Sequence, residues 1–372
     1  SLEFFGAFFC AYICPMMHQP IYLDYAATTP VHPEVLSAML PYFTEVFGNS
    51  GSSAHLYGWR AAEAVEQSRA SIASYFRVKP AEVVFTSGAT ESINLGIRGF
   101  LQGKPKGHLI TSVLEHKAVL EVFHALETEG WDVTYLLDVA DLESVIRPDT
   151  VLVSLMLVNN ELGTILDYEA VLRLCEAQGI CFHTDATQAI GKLSLTKLPH
   201  LLSFSGHKIY GPKGIGALIS RVPLQPISFG GGQERGLRPG TLPVPLIVGL
   251  AKAVEMIPEW LSKVTFYQKA KVRLAALLPF INSPEYSVPS ILNFTLKGAD
   301  WERMYQVLNG LAFSNGSACN AKTELPSHVL KALGHSDEDA LASGRFSLGY
   351  FTTDEEIDRA CEILSQNLPK LL

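Results

Sequence analysis

The sequence predicts an open α/β sheet covered by helices on both faces, joined to a second, smaller domain. Three observations carry this. From Glu82 to Ser220, short apolar runs alternate with segments of helical spacing, the pattern of successive βαβ units. The run Val151–Val158 is almost wholly apolar, as a strand buried at the centre of a parallel sheet requires. Polar clusters fall at the ends of the expected strands, the edge where such sheets collect ligands.

Composition sets the bounds. The 372 residues suffice for one large domain and a smaller one. A hydrophobic content of 48% with 18% charged residues fits a chain with a sizeable core. The net charge of −8 leaves no basic footprint for nucleic acid. Cys10, Cys14, Cys175, Cys181, Cys319 and Cys361 form no C-x-x-C pair and no zinc spacing. Neither a disulfide framework nor a metal site is indicated, and a reducing, cytoplasmic setting fits best.

Residues 1–17 read apart from the rest. They are apolar and aromatic, too short to span a bilayer and without a basic start. We read them as an appended or upstream-translated extension, with a packed N-terminal arm as the alternative. No membrane segment is expected.

The elements follow in order. Ile21–Leu23 starts a short strand that ends in small residues before Pro30, and Pro33 opens a helix through about Tyr42. Asn49–Ser53 is loop. Trp59–Tyr75 has helical spacing, with Ala61, Ala64, Val65 and Ile72 on one face. A strand from Glu82 runs into Ser87-Gly88-Ala89-Thr90, and a helix follows from Glu91 to Phe100. Small residues at a helix start present free N–H groups that bind phosphate, although an ordinary N-cap has the same look. The spacing is neither Walker A nor G-x-G-x-x-G.

Strand His108–Val113, helix Lys117–Glu129, strand Trp131–Leu137, a helical turn at Leu142–Ile146 and strand Val151–Val158 come next. Helix Tyr168–Gln178 leads to strand Ile180–Thr184, ending in Asp185. Strands Leu201–Ser205 and Gly216–Ser220 complete the sheet. The stretch Gly230–Thr241 reads as a mobile, basic-tipped loop. Leu246–Phe280 is helical, interrupted at Pro258. The smaller domain then holds strand Ser290–Leu296, helix Trp301–Asn309, a helix near Val329–Leu333, strand Ser343–Ser347 and helix Asp354–Ser365.

The strand-end clusters are Ser87-Gly88-Ala89-Thr90, Glu115-His116, Asn159-Asn160-Glu161, Asp185 and Ser205-Gly206-His207-Lys208. Taken singly, each has an ordinary explanation. Lys208 could be a surface lysine in a Gly-rich turn, Asp185 a turn cap and His116 a satisfied histidine. Together they match what a phosphorylated pyridine aldehyde needs. Lys208 can form an imine, and Asp185 can keep the ring nitrogen protonated so that the ring draws electrons. His116 can stack on the ring, and Ala89, Thr90, Ser205 and His207 can hold the phosphate.

Tyr22-Leu23-Asp24-Tyr25-Ala26-Ala27-Thr28-Thr29-Pro30, Thr86–Ser92, Glu115-His116-Lys117, Val158-Asn159-Asn160-Glu161, His183-Thr184-Asp185-Ala186-Thr187-Gln188 and Ser203–Lys208 resemble the cysteine desulfurase family. These are pyridoxal-phosphate enzymes of fold type I, in the class V aminotransferase group. The resemblance runs from about Ile21 to about Leu364. It implies a large domain, 29–245, with a mostly parallel seven-stranded sheet, and a smaller α+β domain made of 18–28 with 246–372. It also implies pyridoxal 5'-phosphate as cofactor, with Lys208 as its covalent anchor and Asp185 on the ring nitrogen. Gln188 would bond the ring hydroxyl, and His116 would stack and help move protons. Thr90, Ser205 and His207 would hold the phosphate, and Thr241 would reach the phosphate of the other subunit of a homodimer. Asn160 and Arg345 would hold the substrate carboxylate, a task suited to a planar guanidinium in any case.

Cys319, in Gly316-Ser317-Ala318-Cys319-Asn320-Ala321-Lys322, would separate a desulfurase from an aminotransferase. A thiolate in a small polar stretch can take sulfur from L-cysteine as a persulfide, leaving L-alanine. The length before Pro326 is similar to the branch with an extended catalytic loop, whose members pass sulfur to scaffold and carrier proteins. Pro239-Gly240-Thr241, Glu324-Leu325-Pro326 and Ser343-Gly344-Arg345-Phe346 depart from the usual motifs. Members serving iron–sulfur scaffolds carry a longer tail than a chain ending at Leu372, so the acceptor stays open between scaffold and thiolation enzymes such as those of tRNA. Two alternatives stand beside the desulfurase: a selenocysteine lyase or related β-lyase, and a catalytically idle homologue that acts as a binding partner.

Overall fold

The structure is a computed structural model that describes residues 19–315 and 325–371. The extension at 1–17 and the segment 316–324 with Cys319 lie outside the described residues.

The strands, in chain order, are β1 (Ile21–Tyr22), β2 (Val83–Thr86), β3 (His108–Ser112), β4 (Asp132–Leu136), β5 (Thr150–Ser154), β6 (Cys181–Asp185), β7 (Leu201–Ser205), β8 (Gly216–Ser220), β9 (Phe280–Ile281), β10 (Ile291–Thr295), β11 (Leu311–Ala312) and β12 (Ser343–Ser347). Seven of them form one sheet in the order β2-β8-β7-β6-β5-β3-β4. Every pairing among β7, β6, β5, β3 and β4 is parallel. Only β8 runs against its neighbours β2 and β7. The other six therefore point their carboxyl ends to one edge, and the site residues collect there.

Apart from the edge strand β4, the strands of this sheet are largely buried because helices cover both faces. Ile110, Val153, Phe182, Leu202 and Phe204 belong to one core, and Val84, Leu109, Leu152, Leu201 and Leu218 to the core on the opposite face. The alternation of these residues along each strand is the two-residue period of a sheet buried on both sides. A third core surrounds the antiparallel sheet β12-β10-β9 and holds Phe294, Phe346, Tyr267, Leu274, Ile357 and Leu364. Ile21 and Leu23 pack in that third core, while Ile247 and Leu250 of helix Val244–Glu255 pack in the first.

The helical stretch expected over Leu246–Phe280 with a break at Pro258 is instead three helices, Val244–Glu255, Ile257–Ser262 and Val264–Ala275, and Phe280 belongs to β9. Three further segments differ from their sequence-based expectation. The helix begun at Pro33 ends at Met39, and Pro41 opens a separate turn through Thr44. Proline lacks the N–H that would continue the ladder. The apolar run Val151–Val158 is a strand only as far as Ser154. Beyond it the Met156 N–H donates to the Glu115 carboxylate at 2.7 Å instead of to β3. The third is the stretch Gly230–Thr241, expected to be mobile. It contains the buried Glu234, which accepts from Arg69 Nη2 at 2.6 Å and from the Phe85 N–H at 2.8 Å. A buried carboxylate is tolerable only when paired and hydrogen-bonded, and this pairing pins the loop to β2.

Candidate functional site

A cavity of about 690 Å³ lies at the carboxyl edge of the large sheet. It is lined together by Ala89, Thr90, His116, Asn160, Asp185, Gln188, Ser205, His207, Lys208 and Arg345. Of the residues the sequence singled out, Thr241 is exposed and outside this lining, and Cys319 lies outside the described residues.

Lys208 ends a single turn, Gly206–Lys208, directly after β7. Its Nζ donates to the carbonyls of Ala26 and Ala27 at 2.6 and 2.7 Å. The segment after β1 is stitched to this turn, with the Thr29 N–H on the His207 carbonyl at 2.9 Å and Thr28 Oγ1 3.1 Å from His207 Nδ1. Burial, with Lys208 and Lys213 nearby, lowers the His207 pKa to about 4, so its ring is neutral near pH 7.

Asp185 ends β6 and is buried. Its Oδ1 accepts the Thr187 N–H at 2.9 Å. Thr187 Oγ1 lines the same cavity region, is buried and has no hydrogen-bond partner among the described residues. Gln188 donates from Nε2 to the Ala26 carbonyl at 2.8 Å and accepts from Lys192 Nζ at 2.6 Å through Oε1. Lys192 thereby fixes which end of the amide faces Ala26. Burial pushes the Lys192 pKa down to about 7, aided by Lys208 and Arg345. Beneath Asp185 on the same strand, His183 sits between Ser154 Oγ at 2.8 Å and Ser203 Oγ at 3.0 Å, and burial takes its pKa to about 3.

His116 caps helix Lys117–Thr128, its Nδ1 accepting the Ala118 N–H at 3.1 Å. The neutral ring therefore carries its hydrogen on Nε2. Burial lowers its pKa, opposed by Asp185 and aided by Lys208.

The end of the cavity at helix Ala89–Leu101 is built by backbone. Helix Ala89–Leu101 starts at Gly88, whose φ of +153° and ψ of −176° suit glycine, and no side chain caps it. Its first N–H groups are left for a ligand. Gly216 of β8 packs so tightly behind this turn that an added Cβ would stand 2.7 Å from the Gly88 Cα.

Arg345 lies in β12 and is buried. Its Nη2 donates to Asp24 Oδ1 at 2.8 Å and its Nη1 to the Asn160 carbonyl at 2.7 Å. Its Nε is buried without a partner among the described residues. Asn160 thus meets Arg345 through its backbone. Asn159 shapes that turn by accepting the N–H groups of Glu161 and Leu162, each at 2.9 Å.

The described residues on either side of 316–324 are tied to the site. The Arg345 N–H donates to the Ser314 carbonyl at 2.7 Å. On the other side, Ser327 Oγ donates to Glu161 Oε2 at 2.5 Å, and His328 Nε2 lies 3.0 Å from the Glu115 carbonyl.

The sequence did not reveal the partners Asp24, Thr187, Lys192 and His328. Asp24 and Thr187 lie inside motifs quoted above, but their contacts join distant parts of the chain or depend on burial. The arrangement fits pyridoxal phosphate by its donors. It offers a lysine amine, a buried carboxylate, an uncapped helix start and two unpartnered buried polar atoms, Thr187 Oγ1 and Arg345 Nε. Among the described residues no cluster of side chains could hold a metal ion.

The class V aminotransferase model matches residues 21–360. Cysteine desulfurase IscS of Photorhabdus laumondii is 47% identical over 381 residues, covering 95% of this chain and 94% of that protein. IscS of Escherichia coli is 46% identical with the same coverage. Among solved structures, a NifS-like protein matches with a TM-score of 0.87 at 36% identity, covering 95% of this chain and 100% of that one. SspA in complex with cysteine matches with a TM-score of 0.80 at 40% identity, covering 89% of this chain and 99% of that one.

Proposed function

The chain belongs to the class V aminotransferase family as a pyridoxal-phosphate-dependent cysteine desulfurase, and from that premise we propose that it moves the sulfur of L-cysteine onto Cys319 and then to an acceptor protein. The observation that carries this reading is one cavity in which Lys208, Asp185, His116 and Arg345 converge.

The bound cofactor supplies an aldehyde that condenses with amines and a ring that draws electrons from the substrate. Lys208 would anchor it, and Asp185 would pair with the ring nitrogen. The first N–H groups of helix Ala89–Leu101, with Thr90, Ser205 and His207, would hold its phosphate. His116 would lie on the ring and help move protons by donating its Nε2 hydrogen, and burial lowers its pKa so that the ring stays neutral. Gln188, oriented by Lys192, offers its amide beside Ala26.

Arg345 would grip the substrate carboxylate, held in place by Asp24 and the Asn160 carbonyl. SspA, the relative solved with cysteine, supports that amino acid as substrate. The chemistry then balances without an external oxidant. The thiolate of Cys319 attacks the substrate sulfur, the C–S bond breaks, and its electron pair stays on the β-carbon, which gains a proton and becomes the methyl group of L-alanine. The outer sulfur of the Cys319 persulfide passes to a thiol of the acceptor, which restores Cys319.

Two observations support a homodimer. Leu36, Leu40, Phe43, Phe47, Tyr57 and Trp59 are exposed along the helices and loop that precede β2. Burying such side chains between two copies is worth about 25 cal/mol per Å². Thr241, exposed and away from its own chain's cavity, is free to serve the second copy. Sedimentation of a Phe47→Glu, Trp59→Glu variant should show a monomer with weakened cofactor binding. A dimer indistinguishable from wild type would refute this interface.

The direct test of the cavity is Lys208→Ala. It should lose both the visible absorbance of the bound cofactor and alanine formation. Retention of both would overturn the assignment. No helix among the described residues is long and apolar enough to cross a membrane.

A further inference from the structure

A second cavity, of about 610 Å³, adjoins the first. We propose that it binds a small, uncharged, mainly hydrocarbon molecule that accepts a hydrogen bond from Glu115. It opens at the carboxyl ends of β3, β4 and β5, the edge of the sheet where ligands collect. Its volume falls in the range of small-molecule sites. Met156 lines both cavities, so this residue and its hydrogen-bonded neighbour Glu115 form the wall between them.

The walls are Leu137, Leu142, Leu155, Val171 and Leu174. Against them stands one polar group that the fold leaves unsatisfied. Glu115 is fully buried, its Oε1 accepts the Met156 N–H, and its Oε2 has no hydrogen-bond partner among the described residues. A buried polar atom left unpaired is costly, and a ligand supplying the partner would recover that cost. Burial and the nearby Asp185 push the Glu115 pKa well above its ordinary value, which favours the protonated, donating form. The ligand must then present an acceptor such as a ketone oxygen.

The mouth decides the charge. Asp138, Glu143 and Asp167 are exposed there, and the lining contains no lysine, arginine or histidine. An anion entering this cavity would meet carboxylates and leave its charge in an apolar space. Nothing in the proposed desulfurase chemistry uses this space.

The test uses the cofactor-loaded enzyme with 2-octanone and octanoate as probes, titrated by calorimetry and by saturation-transfer NMR. The ketone should bind saturably, with octanoate at least about tenfold weaker. Glu115→Gln keeps an N–H donor and should stay within about threefold of wild type, whereas Glu115→Leu should lose about tenfold. Ala170→Trp should block the cavity and abolish ketone binding while the visible absorbance of the cofactor remains. If that variant does not fold, the two Glu115 variants decide. Ketone binding that is absent, matched by octanoate, or unchanged in Glu115→Leu would overturn the proposal. These readings do not depend on cysteine turnover, so they stand apart from any failure of the desulfurase assignment.

Discussion

Arg345 Nη2 and Asp24 Oδ1 lie 2.8 Å apart, although 321 positions separate them in the chain. The pair joins β12 to the segment whose carbonyls hold Lys208. One ion pair therefore ties the Arg345 end of the cavity to the Lys208 end.

This relationship leads to the first expectation. Arg345→Lys keeps the charge but loses the planar fork, so KM for L-cysteine should rise by about tenfold to a hundredfold with a smaller change in kcat. Asp24→Asn should shift KM the same way by about threefold, because it frees the guanidinium without removing it. Steady-state alanine formation measures both. An unchanged KM in Arg345→Lys would remove Arg345 from substrate binding.

The close approach of β8 to the turn at Gly88 gives the second. In Gly216→Ala the new Cβ would meet the Phe204 carbonyl oxygen at 2.5 Å and the Gly88 Cα at 2.7 Å, and both are backbone. The turn must move, at a cost of about 1–3 kcal/mol. Equilibrium binding of pyridoxal phosphate should weaken by about tenfold or more, whereas Gly232→Ala, where a Cβ would meet nothing within 4 Å and φ is −79°, should not affect it. Equal cofactor affinity in the two variants would contradict the phosphate assignment.

The third concerns Arg69 and Glu234. Arg69→Ala leaves Glu234 buried without its cation and should cost about 3–5 kcal/mol in urea unfolding. The pair replaced by Arg69→Met with Glu234→Leu should recover most of that loss, as apolar replacements of buried ion pairs do. A single variant as stable as wild type would show that this pair does not pin the loop leading to Thr241.

The fourth is a pH effect. Burial holds the His116 pKa below its ordinary value of 6.5, so the ring stays neutral as pH falls through 6.5 and protonates only in more acid solution. The acid limb of kcat should therefore lie below pH 6.5 and vanish in His116→Gln, whose residual rate is low and flat. A limb that persists in His116→Gln would belong to another group. Stability has its own acid limb. His183, with a folded pKa of about 3, stays neutral while the unfolded chain takes a proton. Its contribution is complete above pH 6.5 and falls by about 1.4 kcal/mol per pH unit towards pH 3.

Much of this was legible in the sequence, for a physical reason. Strand-length apolar runs and the polar residues that end them are local signals, so β2, β3, β6, β7 and the placement of His116, Asp185 and Lys208 could be read directly. What stayed hidden depends on contacts between distant segments. Glu234 looks like a surface charge until Arg69 is beside it, and that pairing turned an expected mobile loop into a pinned one. Val158 looks like strand until the Glu115 carboxylate claims the Met156 N–H. The orientation of Gln188 by Lys192 also needs the fold, because it depends on burial as much as on their spacing.

The central claim is that cysteine sulfur leaves through Cys319, and a single turnover measures it. Cofactor-loaded Cys319→Ser, mixed with L-cysteine labelled in its sulfur, should keep the visible absorbance of the cofactor yet release no alanine and carry no protein-bound label. Wild type should yield one alanine and one bound sulfur per site. Alanine release from Cys319→Ser at the wild-type rate would contradict the account.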